Sequence, residues 1–142
     1  MKINIEVNQK EARLLLGGLK KIAGSTNNKE TLKSISKLIR EIEQDVKMDE
    51  IVFRRLEHYT KKYRSKYAKF ERESDLRSDL KMGNPFLNSN QGFFILCNHL
   101  LKNIILKYKP GKAIVRVVLA DLRKCGTVKD VMDVIIAGYE KA

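Results

Sequence analysis

The sequence predicts an all-α fold, a compact bundle of about five to six helices. Apolar residues recur at steps of three and four along most of the 142 residues, which is the spacing of one face of a helix. Residues typical of helix starts and stops separate these segments. The one later stretch with strand character has no partner in the sequence from which to build a sheet. These observations favour helices throughout, in a single domain over residues 1–142.

The N-terminal segment predicts a short β-strand followed by a first helix. Apolar and polar residues alternate over residues 3–7, which is the pattern of a strand. Asn8, with Glu11 three residues later, is a typical helix start, and leucines follow at helical spacing as far as Ile22. Gly24 is a typical helix end.

Two amphipathic helices are predicted next. Apolar residues recur from Leu32 to Val46, and this helix is expected to end near Lys47. The following helix is expected to begin near Asp49 and to span about residues 50–80. It carries basic residues on one side and aromatic residues on the other.

The second half of the chain predicts one long loop and three helices. Residues 83–92 contain a proline, two glycines and several asparagines but no charge, so we expect a loop. Residues 93–108 are apolar nearly all round, as expected for a central helix buried on most sides. Residues 114–124 favour a helix, with a strand as the alternative because β-branched residues are frequent there. Thr127 and Asp130 resemble a capping box that opens a final helix.

The composition predicts a soluble, cytoplasmic protein. No apolar run approaches the ~20 residues that span a bilayer, and the N-terminus offers no apolar core of a signal peptide. Cys97 and Cys125 lie in apolar segments and are too few for a disulfide scaffold, so we expect reduced thiols that pack in the core. We predict no metal site and no cofactor.

The net charge of +12 is concentrated in two blocks. Residues 54–69 carry seven basic groups against one acid, a net charge of +6, and residues 80–120 carry six basic groups and no acid. Residues 70–79 between them are net negative. Blocks of one sign indicate a surface with a charged partner, whereas an even spread would indicate only solubility.

The chain lacks the motifs of common catalytic sites. Its only histidines are His58 and His99, and Cys97 precedes His99 by two residues. Successive residues on a helix point about 100° apart, so this pair is not placed to act as nucleophile and base. The sequence contains no HExxH, GxSxG, GxxxxGK(S/T) or CxxC motif. We therefore predict that the protein is not an enzyme and has no catalytic residues.

The predicted basic helix at residues 50–80 is the main candidate site. Four of its cations fall near one line on a helix and form a ridge of like charge: Arg55, Lys62, Lys66 and Lys69. Such a ridge binds phosphates in a salt-sensitive way without reading sequence, although a solvated helix face is the alternative interpretation. The predicted polyanion-binding residues are Arg54, Arg55, Lys61, Lys62, Arg64, Lys66 and Lys69, with Tyr67 as the candidate for base stacking.

The predicted loop and the turn after residue 108 offer a secondary site. Asparagine amides and an aromatic ring are groups that a pocket for a nucleotide or an unpaired base uses, whereas ordinary turns and caps are the alternative. Two lysines flank a Pro-Gly turn before the next predicted helix, where a helix N-terminus favours phosphate. The secondary ligand candidates are Asn84, Phe86, Asn88, Asn90, Lys109 and Lys112.

Three functions follow from these residues. The first is a non-catalytic accessory protein that binds a nucleic-acid backbone with little sequence readout. The second is an interaction or inhibitor protein of the mobile-element type, which docks its basic helix on an acidic surface of a host protein. The third is a nucleotide-sequestering protein that uses the loop at residues 83–92. The apolar final helix is expected to dock on its own core, and a homo-oligomer seam is the alternative.

Overall fold

A computed structural model describes residues 9–142 of the chain, so the predicted strand and the predicted helix start at Asn8 lie outside the described residues. The described residues form six α-helices and no β-strand, which confirms the all-α class. They divide into two compact units, the first ending at Glu50 and the second running from Ile51 to Ala142. The single domain over residues 1–142 stays a prediction.

The first unit contains helix α1 (Gln9–Ser25) and the first part of helix α2 (Lys29–Thr60). The side chain of Asn28 caps α2, because its Oδ1 accepts hydrogen bonds from the backbone N–H groups of Glu30 and Thr31 at 3.0 and 3.1 Å. Ala12 and Leu16, one turn apart on α1, are buried. The predicted first helix is therefore confirmed over its described residues.

The predicted break between the second and third helices, near residues 47–49, is wrong. Helix α2 is continuous from Lys29 to Thr60, so the two predicted helices join into one. The physical reason is that this stretch contains neither glycine nor proline, the residues that most strongly disfavour a helix interior. A change in the position of the apolar stripe was not sufficient to end the helix.

The predicted basic helix over about residues 50–80 is also wrong beyond Thr60, where α2 ends. Residues 61–83 form turns and irregular chain instead. The Thr60 hydroxyl donates a hydrogen bond back to the carbonyl oxygen of Leu56 at 2.7 Å, and the Ser65 N–H donates to the carbonyl oxygen of Leu80 at 2.8 Å. Backbone groups that would extend the helix thus bind elsewhere in the chain, and the repulsion between lysines at helical spacing is avoided.

The remaining helices of the second unit are α3 (Asn84–Asn88), α4 (Phe93–Tyr108), α5 (Leu119–Arg123) and α6 (Val128–Lys141). Helix α4 is the central buried helix that the sequence predicts. The prediction of a loop at residues 83–92 is wrong for five residues, because Asn84–Asn88 form α3. The helix predicted for 114–124 is correct only for α5, because residues 113–118 have no regular structure.

The start of α6 joins the irregular segment to the rest of the second unit. The N–H of Leu76 donates to the carbonyl oxygen of Gly126 at 2.9 Å, and the N–H of Val128 donates to that of Ser74 at 3.0 Å. Thr127 and Asp130 form the predicted capping box, which is confirmed. These bonds place Leu76 and the buried residues after it against the core without a helix.

Across the helices of residues 9–142, none is both long and apolar enough to cross a membrane.

Candidate functional site

The predicted ridge of four cations on one helix does not exist. Arg55 lies on α2 and is half-buried, whereas Lys62, Lys66 and Lys69 follow the end of that helix in irregular chain. The four lysines between residues 61 and 69 are all exposed, and none makes an ion pair with any residue of the described range 9–142. The positive charge predicted from the sequence is therefore present at the surface, but on a turn-rich segment that we call the basic segment, residues 61–69.

Two of the predicted arginines, Arg54 on α2 and Arg64 within the basic segment, have structural contacts. Arg54, whose side chain is 65% exposed, pairs with Glu57 at 3.5 Å. The guanidinium of Arg64 donates to the carbonyl oxygen of Glu57 at 3.2 Å and lies 5.0 Å from the ring centroid of Phe70. Because Arg64 binds the last turn of α2 and covers a ring, it holds the start of the basic segment in place.

An open groove of about 400 Å³ lies beside the basic segment in the second unit. Aromatic side chains from four parts of the chain meet in it, and we call it the aromatic groove. Tyr59 comes from α2, Tyr63 from the basic segment, Phe86 from α3 and His99 from α4. Its lining is completed by Lys62, Gln91, Gly92, Ile95 and Leu96.

The rings of the aromatic groove are held in fixed positions. Tyr63 and Phe86 stack with their centroids 4.4 Å apart and their planes 14° apart, and Phe86 meets the buried ring of Phe93 edge-on at 5.8 Å. At the other end, the hydroxyl of Tyr59 accepts a hydrogen bond from the Asn103 side chain at 2.8 Å. Its ring centroid lies 6.3 Å from that of His99.

Gly92 permits the close approach of Phe86 to the start of α4. A β-carbon at this position would lie 2.5 Å from the carbonyl oxygen of Phe86 and 2.9 Å from its ring atom Cδ2. Since the nearest of these atoms belongs to the backbone, a side chain here would displace α3 as well as the ring. The stack of Tyr63 on Phe86 thus depends on a glycine at the N-terminus of α4.

The polar groups of the aromatic groove favour an anionic or neutral flat ligand. The ammonium of Lys62 lies 5.8 Å from the ring centroid of Tyr63, and the Gln91 amide supplies both a donor and an acceptor. The residues that line the groove, all from the described part of the chain, include no carboxylate. Stacking surfaces beside a cation, without an acid, are typical of sites for bases attached to phosphates.

The asparagines of the secondary candidate site are occupied by an internal contact. The guanidinium of Arg77 donates to Oδ1 of Asn84 at 2.6 Å and to Oδ1 of Asn88 at 3.5 Å. These bonds position α3, which carries Phe86 into the aromatic groove. Asn90 is exposed and does not line the groove.

The two lysines of the secondary candidate site lie apart from this groove. The ammonium of Lys109 donates to the carbonyl oxygens of Tyr139 at 2.7 Å and Ala142 at 3.2 Å, at the C-terminal end of α6. Lys112 is exposed near Gly111, whose φ of 82° lies in the left-handed region. The predicted phosphate site between these lysines has no helix N-terminus directly after it, because residues 113–118 are irregular.

Sequence reasoning found only part of the aromatic groove. The predicted site residues include Lys62 and Phe86 of its lining but not Tyr59, Tyr63 or His99. Tyr67, the predicted stacking residue, is 89% exposed and lies outside the groove lining, with the Lys66 ammonium 5.9 Å from its ring centroid.

Within residues 9–142, no group of three or more His, Cys, Asp or Glu side chains is arranged to hold a metal ion. No protein-family model, no curated protein and no solved structure matched the chain.

Proposed function

We propose that this protein is a non-catalytic nucleic-acid-binding protein that holds a sugar-phosphate backbone through its basic segment, with little readout of base sequence. One observation carries the proposal. Lys61, Lys62, Lys66 and Lys69 are exposed within a short stretch and make no ion pair with another residue of the described chain. Unpaired cations at this density repel each other, and phosphates relieve that repulsion while releasing counterions.

The shape of the segment supports contact with a backbone and not with base edges in a groove of a duplex. Reading the major groove takes a projecting helix or a two-stranded ribbon, and the lysines lie on neither. Lysine is a flexible point charge that binds phosphate without fixed geometry. These features favour binding that depends on charge density and salt and that varies little with sequence.

The proposal is tested by the salt dependence of binding to a labelled oligonucleotide of about 30 residues, single-stranded or duplex. We expect log K to fall linearly with log salt concentration. The triple variant Lys61→Gln, Lys66→Gln and Lys69→Gln leaves the aromatic groove intact. It should weaken binding to every sequence and reduce the slope for single strands by about 2, since each lost phosphate contact contributes about 0.7.

A matched control removes the same charge elsewhere. Lys21, Lys33 and Lys37 are exposed lysines of the first unit, and their combined replacement by Gln should leave the slope nearly unchanged. Equal loss of affinity in both triple variants would mean that binding follows net charge and not the basic segment. Failure of the wild-type protein to bind single-stranded or duplex DNA or RNA at low salt would overturn the proposal.

A further inference from the structure

We infer that the aromatic groove is a stacking subsite for an unpaired nucleobase, and that it makes the protein select single strands over duplexes. This inference rests on the proposed function and adds a second determinant to it. The basic segment supplies charge that acts on any nucleic acid, whereas the groove acts only on bases that are free to leave a helix. The two contributions are therefore separable by experiment.

The rings of the aromatic groove form a platform for stacking. One face of Tyr63 is covered by Phe86 at 4.4 Å with nearly parallel planes, and Phe86 is itself fixed by the buried Phe93. Tyr63 nevertheless remains 44% exposed. A third flat ring on its exposed side would extend the same offset stack once the flexible Lys62 side chain, whose ammonium lies 5.8 Å from the ring centroid, moves aside. The platform loses little freedom on binding because two of its rings are already packed.

The aromatic groove has the size and polarity that a nucleotide needs. A volume of about 400 Å³ lies within the range of pockets for small ligands and accommodates a base with its sugar. The ammonium of Lys62 lies over the Tyr63 ring, 5.8 Å from its centroid, and this flexible cation is available to the phosphate of a stacked nucleotide. Gln91 offers a donor and an acceptor at once and therefore suits several base edges, in agreement with little sequence readout.

The groove excludes bases that are paired and stacked in a duplex. In a duplex both faces of each base are already stacked and its edge is paired, so entry into the groove costs unstacking of several kcal/mol, as in base flipping. An unpaired base avoids that cost. Since stacking of one base on an aromatic side chain changes affinity by about 5- to 100-fold, a single subsite is sufficient for a clear preference between strand types.

The chain offers a direct spectroscopic test because it contains no tryptophan. Tyr63→Trp keeps an aromatic platform and introduces a single indole. Oligothymidylate of about 15 nucleotides should quench its emission, whereas a strand of equal length without bases should bind and leave the emission nearly unchanged. Equal quenching by both strands, or none by either at saturation, would overturn the stacking subsite.

Affinities give the second test. Tyr63→Leu should weaken binding of oligothymidylate by about 5- to 100-fold and leave binding of the base-free strand unchanged. Tyr63→Phe keeps the aromatic ring and should bind oligothymidylate as wild type does. Ile95→Glu, at a residue 53% exposed in the groove lining, is a second variant that places an acid at the site without disturbing the core. It should weaken binding of oligothymidylate at least as much.

Tyr67→Ala is the matched control, because Tyr67 is an exposed tyrosine of the same segment beside a lysine. It should leave both affinities nearly unchanged. If Tyr67→Ala weakened binding of oligothymidylate and Tyr63→Leu did not, the base would stack at Tyr67 and the subsite in the aromatic groove would be overturned. If wild-type protein bound the base-free strand or a duplex as tightly as oligothymidylate, the stacking subsite would be overturned and the proposed function would stand. If it bound none of them, the proposed function would be overturned.

Discussion

Gly138 of α6 lies against Leu101 of α4 so closely that a β-carbon on the glycine would be 2.8 Å from Leu101 Cδ2. Leu101 is fully buried, and Gly138 is buried with it. The two longest helices that begin in the second unit therefore approach each other through a position where a side chain has no room. This contact fixes α4, the helix that carries His99 and Ile95 into the aromatic groove.

Gly138→Val should lower the free energy of unfolding by about 1–3 kcal/mol, because the added isopropyl group overpacks the contact with Leu101. Chemical denaturation followed by circular dichroism measures the change. Gly17→Ala is the control, since a β-carbon on this glycine of α1 meets nothing within 4 Å. It should stabilise its helix by about 0.5–1 kcal/mol, and a loss of stability in both variants would contradict the packing argument.

Helices α4 and α6 could be predicted from the sequence because their determinants are local. A nearly continuous apolar surface made α4 a buried helix, and Thr127 with Asp130 marked the start of α6. The end of α2 could not be predicted in this way. It depends on partners far along the chain, above all the bond between the Ser65 N–H and the carbonyl oxygen of Leu80.

The aromatic groove shows the same limit at the level of the site. On a helix through residue 80, Tyr63 would have stayed on an apolar stripe with Tyr59. Because α2 ends at Thr60, the ring of Tyr63 turns to stack on Phe86, a residue of what the sequence predicted as a loop. The exposed lysines of the basic segment were predicted because charge is read directly from the sequence. Their arrangement in irregular chain was not predicted, because it depends on where α2 ends.

The capping box of α6 predicts a pH dependence of stability. The backbone N–H groups of Gly126 and Thr127 donate to the Asp130 carboxylate at 2.9 and 3.0 Å and lower its pKa below the usual 3.8. A folded-state pKa below that of the unfolded chain stabilises the fold above about pH 4, and this contribution is lost as the pH falls through the folded-state value. Asp130→Asn should therefore lower the free energy of unfolding at pH 6, by about 0.3–1 kcal/mol, and have a smaller effect near pH 2.

Urea unfolding of wild type and Asp130→Asn at the two pH values measures this difference. Glu140→Gln removes a carboxylate from the same helix that accepts no hydrogen bond from the described residues, and it should not lower the free energy of unfolding at pH 6. An equal loss for Asp130→Asn at pH 6 and pH 2 would show that the carboxylate charge contributes nothing to the cap.

Lys109 is expected to be a structural residue and not a ligand for nucleic acid. Its ammonium binds the last carbonyl oxygens of α6 and lies 4.4 Å from the ring centroid of Tyr139, a favourable position for a cation at a helix C-terminus. Lys109→Met should lower the free energy of unfolding by about 0.5–1.5 kcal/mol and leave oligonucleotide affinity within about twofold. A large loss of affinity without loss of stability would return Lys109 to the candidate ligands.

The two cysteine thiols should be unreactive in the folded protein. Burial raises the pKa of Cys97 well above its usual value and, with nearby aspartates, raises the pKa of Cys125 to about 11. Cys97 is fully buried, and the Cys125 thiol donates a hydrogen bond to the carbonyl oxygen of Asp121 at 3.4 Å. Because the thiolate is the reactive form, these raised pKa values leave little of either thiol reactive at pH 8. A thiol reagent at pH 8 should therefore modify both cysteines at the rate of unfolding, and it should modify both completely in denaturant. Rapid modification of either cysteine in the native protein would show that this part of the core opens.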